Sequence, residues 1–391
     1  MNILIIGDFS NFHVSLSEGL TELGQNVTLM SDGCRWMNTR RDIDIRRHPG
    51  KLGAVSYLAR LISLLPRMRG WDVVYIHTPT FLHLKPLKVK FFFDYLRRNN
   101  RMVVFSMINT DYYYVKACLD CTTFAYSDFR IGTEPSPHAL LYPRRELEWT
   151  SPSMKVLADD VVQKSDVIIP CLWEYVKAYE KVAPEKVRYG GIPIDTHNIE
   201  QRVIEHEPRK VRFFLGYHND RMELKGTDRI MEVLKRVVAR HPGEAEMELV
   251  CNVPYAEYVE RLNSSHVLLD QLYSYTPATN ALLGMARGMV AVTGAEPEYY
   301  DFIGEHENRP IVNISPIVEG DIENKLEWII ANKSRLPELS RRSVEFVKKH
   351  NDTRVIAEKH LRYIAEFSGK KRINCLTTTN LHLKSNTNEK T

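Results

Sequence analysis

The chain has 391 residues, 43% of them apolar, and 53 Lys and Arg against 49 Asp and Glu give a net charge of +4. This is the composition of a soluble globular protein with apolar surface for two cores; it excludes collagen-like, low-complexity and wholly disordered chains. The longest run without Lys, Arg, Asp or Glu, 271–286, contains Gln, Ser, Thr, Asn and Pro, so it is no membrane span.

Asn2–Ile6 is a short apolar run and reads as a buried strand. The opening Met1–Gly7 lacks a cationic stretch and meets Asp8 at once, so export is not expected and the protein is expected in the cytoplasm. The six cysteines (34, 118, 121, 171, 251 and 375) are then expected to be reduced. Cys118 and Cys121 form the only C-x-x-C pair, and without a second pair no metal site is predicted. The loop Gly7–His13 lacks G-x-G-x-x-G, so the nicotinamide dinucleotide fingerprint is absent. Val14, Leu16, Leu20 and Leu23 have helical spacing, stopped by Gly24. Val27–Met30 is the next strand, and Tyr57–Leu65 a helix closed by Pro66. Asp72–Ile76 and Met102–Met107 read as buried strands with a helix near Lys88–Arg98 between them, and Val167–Ile169 ends the series.

The charge is unevenly spread over these elements. Residues 1–34 carry −4, residues 35–101 carry +11 and the remainder −3. In 35–101 the basic residues alternate with Trp36, Leu61, Leu64, Leu65 and Phe91–Phe93, a pattern suited to an anionic membrane face. A solvated helix face over an ordinary core is the plain alternative. No helix-turn-helix, RNP-type or zinc-finger pattern supports nucleic acid as a partner.

The pattern restarts after Gly190-Gly191-Ile192-Pro193, which reads as an interdomain crossing. Val211–Leu215, Met247–Val250, Val267–Leu269, Met289–Thr293 and Ile311–Val312 are predicted strands. Helices are predicted at Thr227–Arg240, Pro277–Arg287 and Ile322–Ile330. Alternating strands and helices with continuous apolar strands imply parallel, doubly wound sheets. The fold class is therefore α/β, two Rossmann-like domains in series facing across a cleft. The first domain is placed at 1–190 and the second at 191–351. Gly369–Thr391 is polar and expected to be disordered.

Ligands of such sheets bind at the carboxyl ends of the strands. There the first domain offers His77, Asn11 and Asp111, the last being followed by three tyrosines. In the second domain Thr276 suits an N-cap and Pro277 the first helical position, with Ala278, Thr279 and Asn280 at a helix end ready for a phosphate. Gly288 fits just past that helix. Arg221 and Lys225, in the loop after Val211–Leu215, can supply charge to a diphosphate.

Taken together these segments resemble the glycosyltransferases of family 4, which have the GT-B fold, over roughly residues 1–368. The opening strand and helix, Gly190–Asp195, Lys225-Gly226-Thr227-Asp228 and Asn280–Val292 carry the resemblance. The family's pattern over the last segment is x-x-L-L-E-A-M-A-x-G-x-P-V-V, and here Asn280-Ala281-Leu282-Leu283-Gly284-Met285-Ala286-Arg287-Gly288 stands against it. Arg341–Phe367 resembles the family's final helices, so the helix 352–368 is expected to return to the first domain.

The resemblance implies transfer of a sugar from a nucleotide sugar, of UDP or GDP type, with retention at the anomeric carbon and no bound cofactor or metal. Lys225 matches the family's phosphate lysine, and Arg221 stands in for an arginine whose own position holds Tyr217. The family's paired glutamates are missing, since Thr276 and Gly284 occupy their positions. Asp270, Glu296 and Glu298 lie near enough in sequence to replace them; Glu298 is favoured and Asp270 is the next choice, and Glu298 with Asp111 at the first domain's sheet edge are the candidate catalytic residues. The acceptor is expected to be lipid-linked or a polysaccharide, met by the first domain at the inner face of the cell membrane, with residues 35–101 against anionic lipid. A catalytically inactive binding or scaffold protein with the same fold and a nucleotide-sugar 2-epimerase remain as alternatives.

Overall fold

The computed structural model describes residues 1–34 and 37–385. Trp36 of the basic segment and residues 386–391 of the expected disordered tail lie outside the described residues.

The first domain opens with β1 (Asn2–Ile6), α1 (Phe12–Glu22), β2 (Asn26–Ser31), β3 (Ile43–Asp44) and α2 (Gly50–Leu64). It continues with β4 (Val73–Ile76), α3 (Pro86–Asn99), β5 (Met102–Phe105) and α4 (Tyr112–Leu119). A hairpin of β6 (Arg130–Ile131) and β7 (Glu134–Pro135) follows, then α5 (Pro137–Leu141), α6 (Pro143–Trp149) and α7 (Pro152–Lys164). It closes with β8 (Val167–Ile168) and α8 (Trp173–Glu180). Six parallel strands pair in the order β3-β2-β1-β4-β5-β8. The central strands β4 and β5 are buried at every residue, as runs of Val, Tyr, Ile, Met and Phe covered by helices on both faces must be.

The second domain comprises β9 (Val211–Tyr217), α9 (Met222–Lys225), α10 (Thr227–Arg240), β10 (Ala245–Cys251), α11 (Tyr255–Leu262) and β11 (Val267–Leu269). Then come α12 (Thr279–Ala286), β12 (Val290–Thr293), α13 (Pro297–Phe302), β13 (Val312–Asn313), α14 (Asp321–Ala331) and α15 (Leu336–His350). Its five parallel strands run in the order β10-β9-β11-β12-β13. In the first sheet the strand order reverses between β1 and β4, in the second between β9 and β11, and a crevice opens beyond the strand ends at each such point.

The chain crosses between the domains twice. The first crossing, 190–196, pairs with the second through Ile194 N–H to Asn351 O (2.8 Å) and Thr353 N–H to Ile194 O (3.0 Å). Asn351 Nδ2 adds a bond to Ile192 O at 3.0 Å. The final helix α16 (Thr353–Ser385) then lies back on the first domain. Its Thr353 and Ala357 fill the space where Gly19 of α1 has no side chain, and Arg188 holds Glu366 at 2.6 Å.

Two expectations differ from this structure. Residues 369–385, expected to be disordered, continue α16. A helix already nucleated by packing adds one backbone hydrogen bond per residue, and no proline interrupts this stretch. The second concerns the start of α12. Ala278, not Thr276, is the N-cap residue, and Thr279 opens the helix. The hydroxyl of Thr276 is taken by a partner from the other domain, as the site shows.

Candidate active site

In the second domain Asp270 ends β11 and is buried. Its Oδ1 accepts from Lys225 Nζ at 3.4 Å and from Asn280 Nδ2 at 3.3 Å. Its Oδ2 is buried with no partner, and a buried carboxylate oxygen left unpaired is costly. Asn280 is fixed in turn, since Tyr258 donates its hydroxyl to Asn280 Oδ1 at 2.7 Å. Lys225 is placed by Gly226, whose left-handed φ of 71° links α9 to α10 and whose missing Cβ leaves room for Leu272. Asp270, Lys225 and Asn280 are thus brought together at the β9/β11 crevice, beside the start of α12.

No side chain caps α12, and Ala278, Thr279 and Asn280 are half-exposed, so the first-turn amides are open to a ligand. The far end of α12 is tightly built. Gly288, at φ 97°, donates to Met285 O, and Met289 donates to Gly284 O, the paired bonds of a Schellman turn. Arg221 ends the turn Asn219–Arg221, exposed and in no ion pair among the described residues.

The positions of the missing glutamates are closed. A Cβ on Gly284 would stand 2.5 Å from Leu268 Cδ2, so apolar packing fills that place. Thr276 is buried, and its hydroxyl bonds Glu174 of α8 in the first domain. Glu174 also accepts the amides of Tyr275 (2.7 Å) and Thr276 (3.1 Å). Burial raises its pKa, and these bonds oppose that rise. Around this latch the rings of Trp173, Tyr275 and Tyr126 stack at 5.1 and 4.5 Å, and Tyr126 donates to Glu296 at 2.7 Å. The domains are therefore joined at the loop that leads into α12.

Glu298 lies elsewhere: it is exposed on the first turn of α13 and takes no hydrogen bond or ion pair among the described residues. Its neighbour Glu296 is the one that reaches the first domain. Asp111 caps α4, accepting the Tyr114 amide at 3.0 Å and the Tyr179 hydroxyl. It is buried, its pKa is pushed up to about 6 by that burial, and neither oxygen faces open space. An Asp ahead of a helical run is an N-cap signal as much as a site signal.

At the β1/β4 crevice of the first domain, His77 lies over Gly7, where a Cβ would come within 2.1 Å of its Nδ1. Gly7 has φ 84°, so no other residue fits there easily. Beneath it His13 bonds Gly7 O at 2.7 Å, and burial lowers the pKa of His13 to about 3 and of His77 to about 4. Asn11 bonds Ser15 at 3.3 Å and is left-handed, as are Ser10, Cys34 and Asn38 around the same crevice. Such strained residues gather at ligand sites.

Sequence reasoning missed the pair above this crevice. Asp32 follows β2 and His83 precedes α3, and their Oδ2 and Nε2 stand 2.9 Å apart. The hydrogen bond from His83 holds the Asp32 carboxyl below its usual range. Glu174 was missed as well, because the residues it binds lie about a hundred positions away.

No protein-family model matches the chain, and no curated protein matches it. Solved structures do. Anabaena HepE in complex with UDP and glucose superposes with TM-score 0.58 at 11% identity, over 94% of this chain and 100% of its own. Sucrose-phosphate synthase from Thermosynechococcus elongatus gives 0.59 at 10% identity, over 94% and 99%. WaaG, a glycosyltransferase involved in lipopolysaccharide biosynthesis, gives 0.56 at 12% identity, over 93% and 99%. With two parallel sheets, paired crossings and a returning final helix, this chain has the GT-B fold of those glycosyltransferases.

Proposed function

We propose that the protein is a glycosyltransferase that moves a sugar from a nucleoside diphosphate sugar held in the second domain. The observation that carries this reading is Asp270, buried at the β9/β11 crevice with one oxygen on Lys225 and Asn280 and the other unpartnered. A hydroxyl of the donor satisfies that free oxygen, the role the missing glutamates leave vacant. Lys225, Arg221 and the open start of α12 surround the diphosphate and stabilise the charge that grows on it as the glycosidic bond breaks. The acceptor enters over the first domain, past His77, Asn11 and the Asp32–His83 pair. Retention at the anomeric carbon, and a lipid-linked or polysaccharide acceptor at the inner membrane face, are the finer parts of the reading; the sequence resemblance supports them. That HepE is solved with UDP and glucose is in keeping with a uridine donor.

The test is a thermal-shift panel with UDP, GDP and their common sugar conjugates at millimolar concentration. A ligand at 100 times its Kd stabilises by about 2.7 kcal/mol, a shift of several degrees at most for a protein of this size. The reading fails if no nucleotide shifts the melting point. A second reading, a binding protein that has lost catalysis, is favoured by the closure of positions 276 and 284. Under it nucleotides bind weakly or not at all, and the sugar conjugate is never consumed with any acceptor.

A further inference from the structure

The first domain carries an outer surface that its own fold leaves uncovered. The helices α2, α3 and α7 form one layer on the first sheet. Tyr95 of α3 bonds Leu65 O at the end of α2, at 2.9 Å, and Lys90 of α3 bonds Asp160 of α7, at 3.0 Å. In a parallel αβ unit the helix N-terminus lies at the carboxyl edge of the strands, the edge that faces the cleft. Large apolar side chains stand exposed along those N-terminal halves: Leu52 at 87%, Leu87 at 66% and Phe91 at 57%. The segment between α4 and α7 extends the surface toward the second domain. Its Ile131 packs against the second domain's core, and next to it α5 and α6 expose Leu140 at 67% and Leu147 at 70%. Exposed apolar residues are ordinary when single, but a set this size on one side of a domain marks a partner.

The charges on this surface narrow the partner. Much of the basic excess of 35–101 is neutralised within the fold: Arg41 pairs with Asp44, Lys90 with Asp94 and Asp160, and Arg97 with Asp166. The cations beside the exposed apolar residues are different. Lys51, Lys85, Lys88, Arg144 and Arg145 are exposed and form no ion pair among the described residues. Arg145 instead lies over the Tyr142 ring at 5.0 Å, and that ring is itself 38% exposed.

We propose that this surface, the N-terminal halves of α2 and α3 with the α5–α6 tip, docks on an anionic phospholipid bilayer. Apolar side chains enter the headgroup boundary, and unpaired cations meet the lipid phosphates. The assignment deepens the proposed transfer to a lipid-linked acceptor and places the membrane at the mouth of the cleft. It also shifts the contact from the whole of 35–101 to part of it plus 137–147, a stretch the basic run does not include.

Vesicle flotation of the full chain tests it, with phosphatidylcholine alone and with 30% phosphatidylglycerol added. The expected result is flotation with the anionic vesicles only, weakening steeply with salt, each well-placed cation being worth about fivefold in partition. Phe91→Glu and Leu147→Glu, both at exposed positions, should cut that partition at least tenfold while far-UV circular dichroism and melting stay unchanged. Absence of flotation, or flotation unchanged in both variants, overturns the proposal. So does a concentration-dependent dimer in sedimentation that the same variants abolish, since a second copy would then cover the face. Donor binding is read separately by the thermal shift, so loss of one result leaves the other standing.

Discussion

Lys225 shows how one side chain can be asked a sharp question. It is half-exposed, but it is the ion-pair partner, at 3.4 Å, of the buried carboxylate of Asp270, and a buried carboxylate that loses its cation is costly. Lys225→Ala is expected to weaken nucleotide binding by one to two orders of magnitude and to lower the melting point of the unliganded protein as well. Calorimetric titration with the nucleotide that gives the largest shift checks this. Unchanged affinity would remove the lysine from the site.

The histidines of the first domain make a second residue-scale prediction. His360 is buried, its Nδ1 3.3 Å from the Tyr75 hydroxyl and its Nε2 without a partner; burial lowers its pKa to about 3. The folded state thus keeps the ring neutral while the unfolded chain protonates it near 6.5. Its contribution is present above pH 6.5 and is lost as pH falls from there toward 3. The loss amounts to about 1.4 kcal/mol per pH unit for one group. His360→Gln should therefore lose less stability than the native protein between pH 6.5 and 5, by roughly 2 kcal/mol. Urea melts at the two pH values read the difference. Asp111, whose folded pKa is raised, acts in the opposite direction, so the single variant is more informative than the whole profile.

Among the elements, α12 and the loop before it are where the sequence was least readable. Its core-facing residues and its closing glycine stand out from spacing alone, and both lie where expected. Its start was displaced by two residues because a remote carboxylate, Glu174, competes for the hydroxyl that would have capped it. Local propensity has no access to such a partner. The Asp32–His83 pair was hidden for the same reason, its members being 51 residues apart. Strands, by contrast, announce themselves as apolar runs, and β1, β4, β5 and β9 all fall on such runs. The hairpin β6–β7 and helices α5 and α6 have weak patterns and are settled only by their neighbours.

Two substitutions test that element. Glu174→Ala strands two buried amides and should cost about 2–5 kcal/mol; Glu174→Gln, which keeps one acceptor, should cost less. Native-like melting points for both variants would show that the latch contributes nothing. Gly284→Glu, which writes the family's second glutamate back into the chain, should destabilise rather than activate, because Leu268 occupies the space. A stable variant with raised transfer would show that the place is still open.

At the scale of the whole molecule the two domains are tied by the Glu174 latch, by the paired crossings and by apolar packing that joins Tyr275, Leu282 and Tyr299 to the first domain's core and Ile131 to the second's. Scattering in solution should show Glu174→Ala more extended than the native chain, since the Thr276 and Tyr275 bonds would be gone. The alternation of strands and helices made both domains legible, and the glycines at 190–191 marked the first crossing. How the domains meet was not legible, because that contact rests on Tyr126, Trp173 and Glu174, which look like ordinary core and helix residues in the sequence.

The return of α16 has one more consequence. The first domain is assembled from both ends of the chain, with the second domain inserted between them. A ribosome releases the second domain's five strands while the first still lacks the helix that covers α1. The second can close as a unit during synthesis, whereas the first waits for Thr353 onward to emerge. Its α1 surface near Gly19, which Thr353 and Ala357 cover in the finished fold, stays open until then.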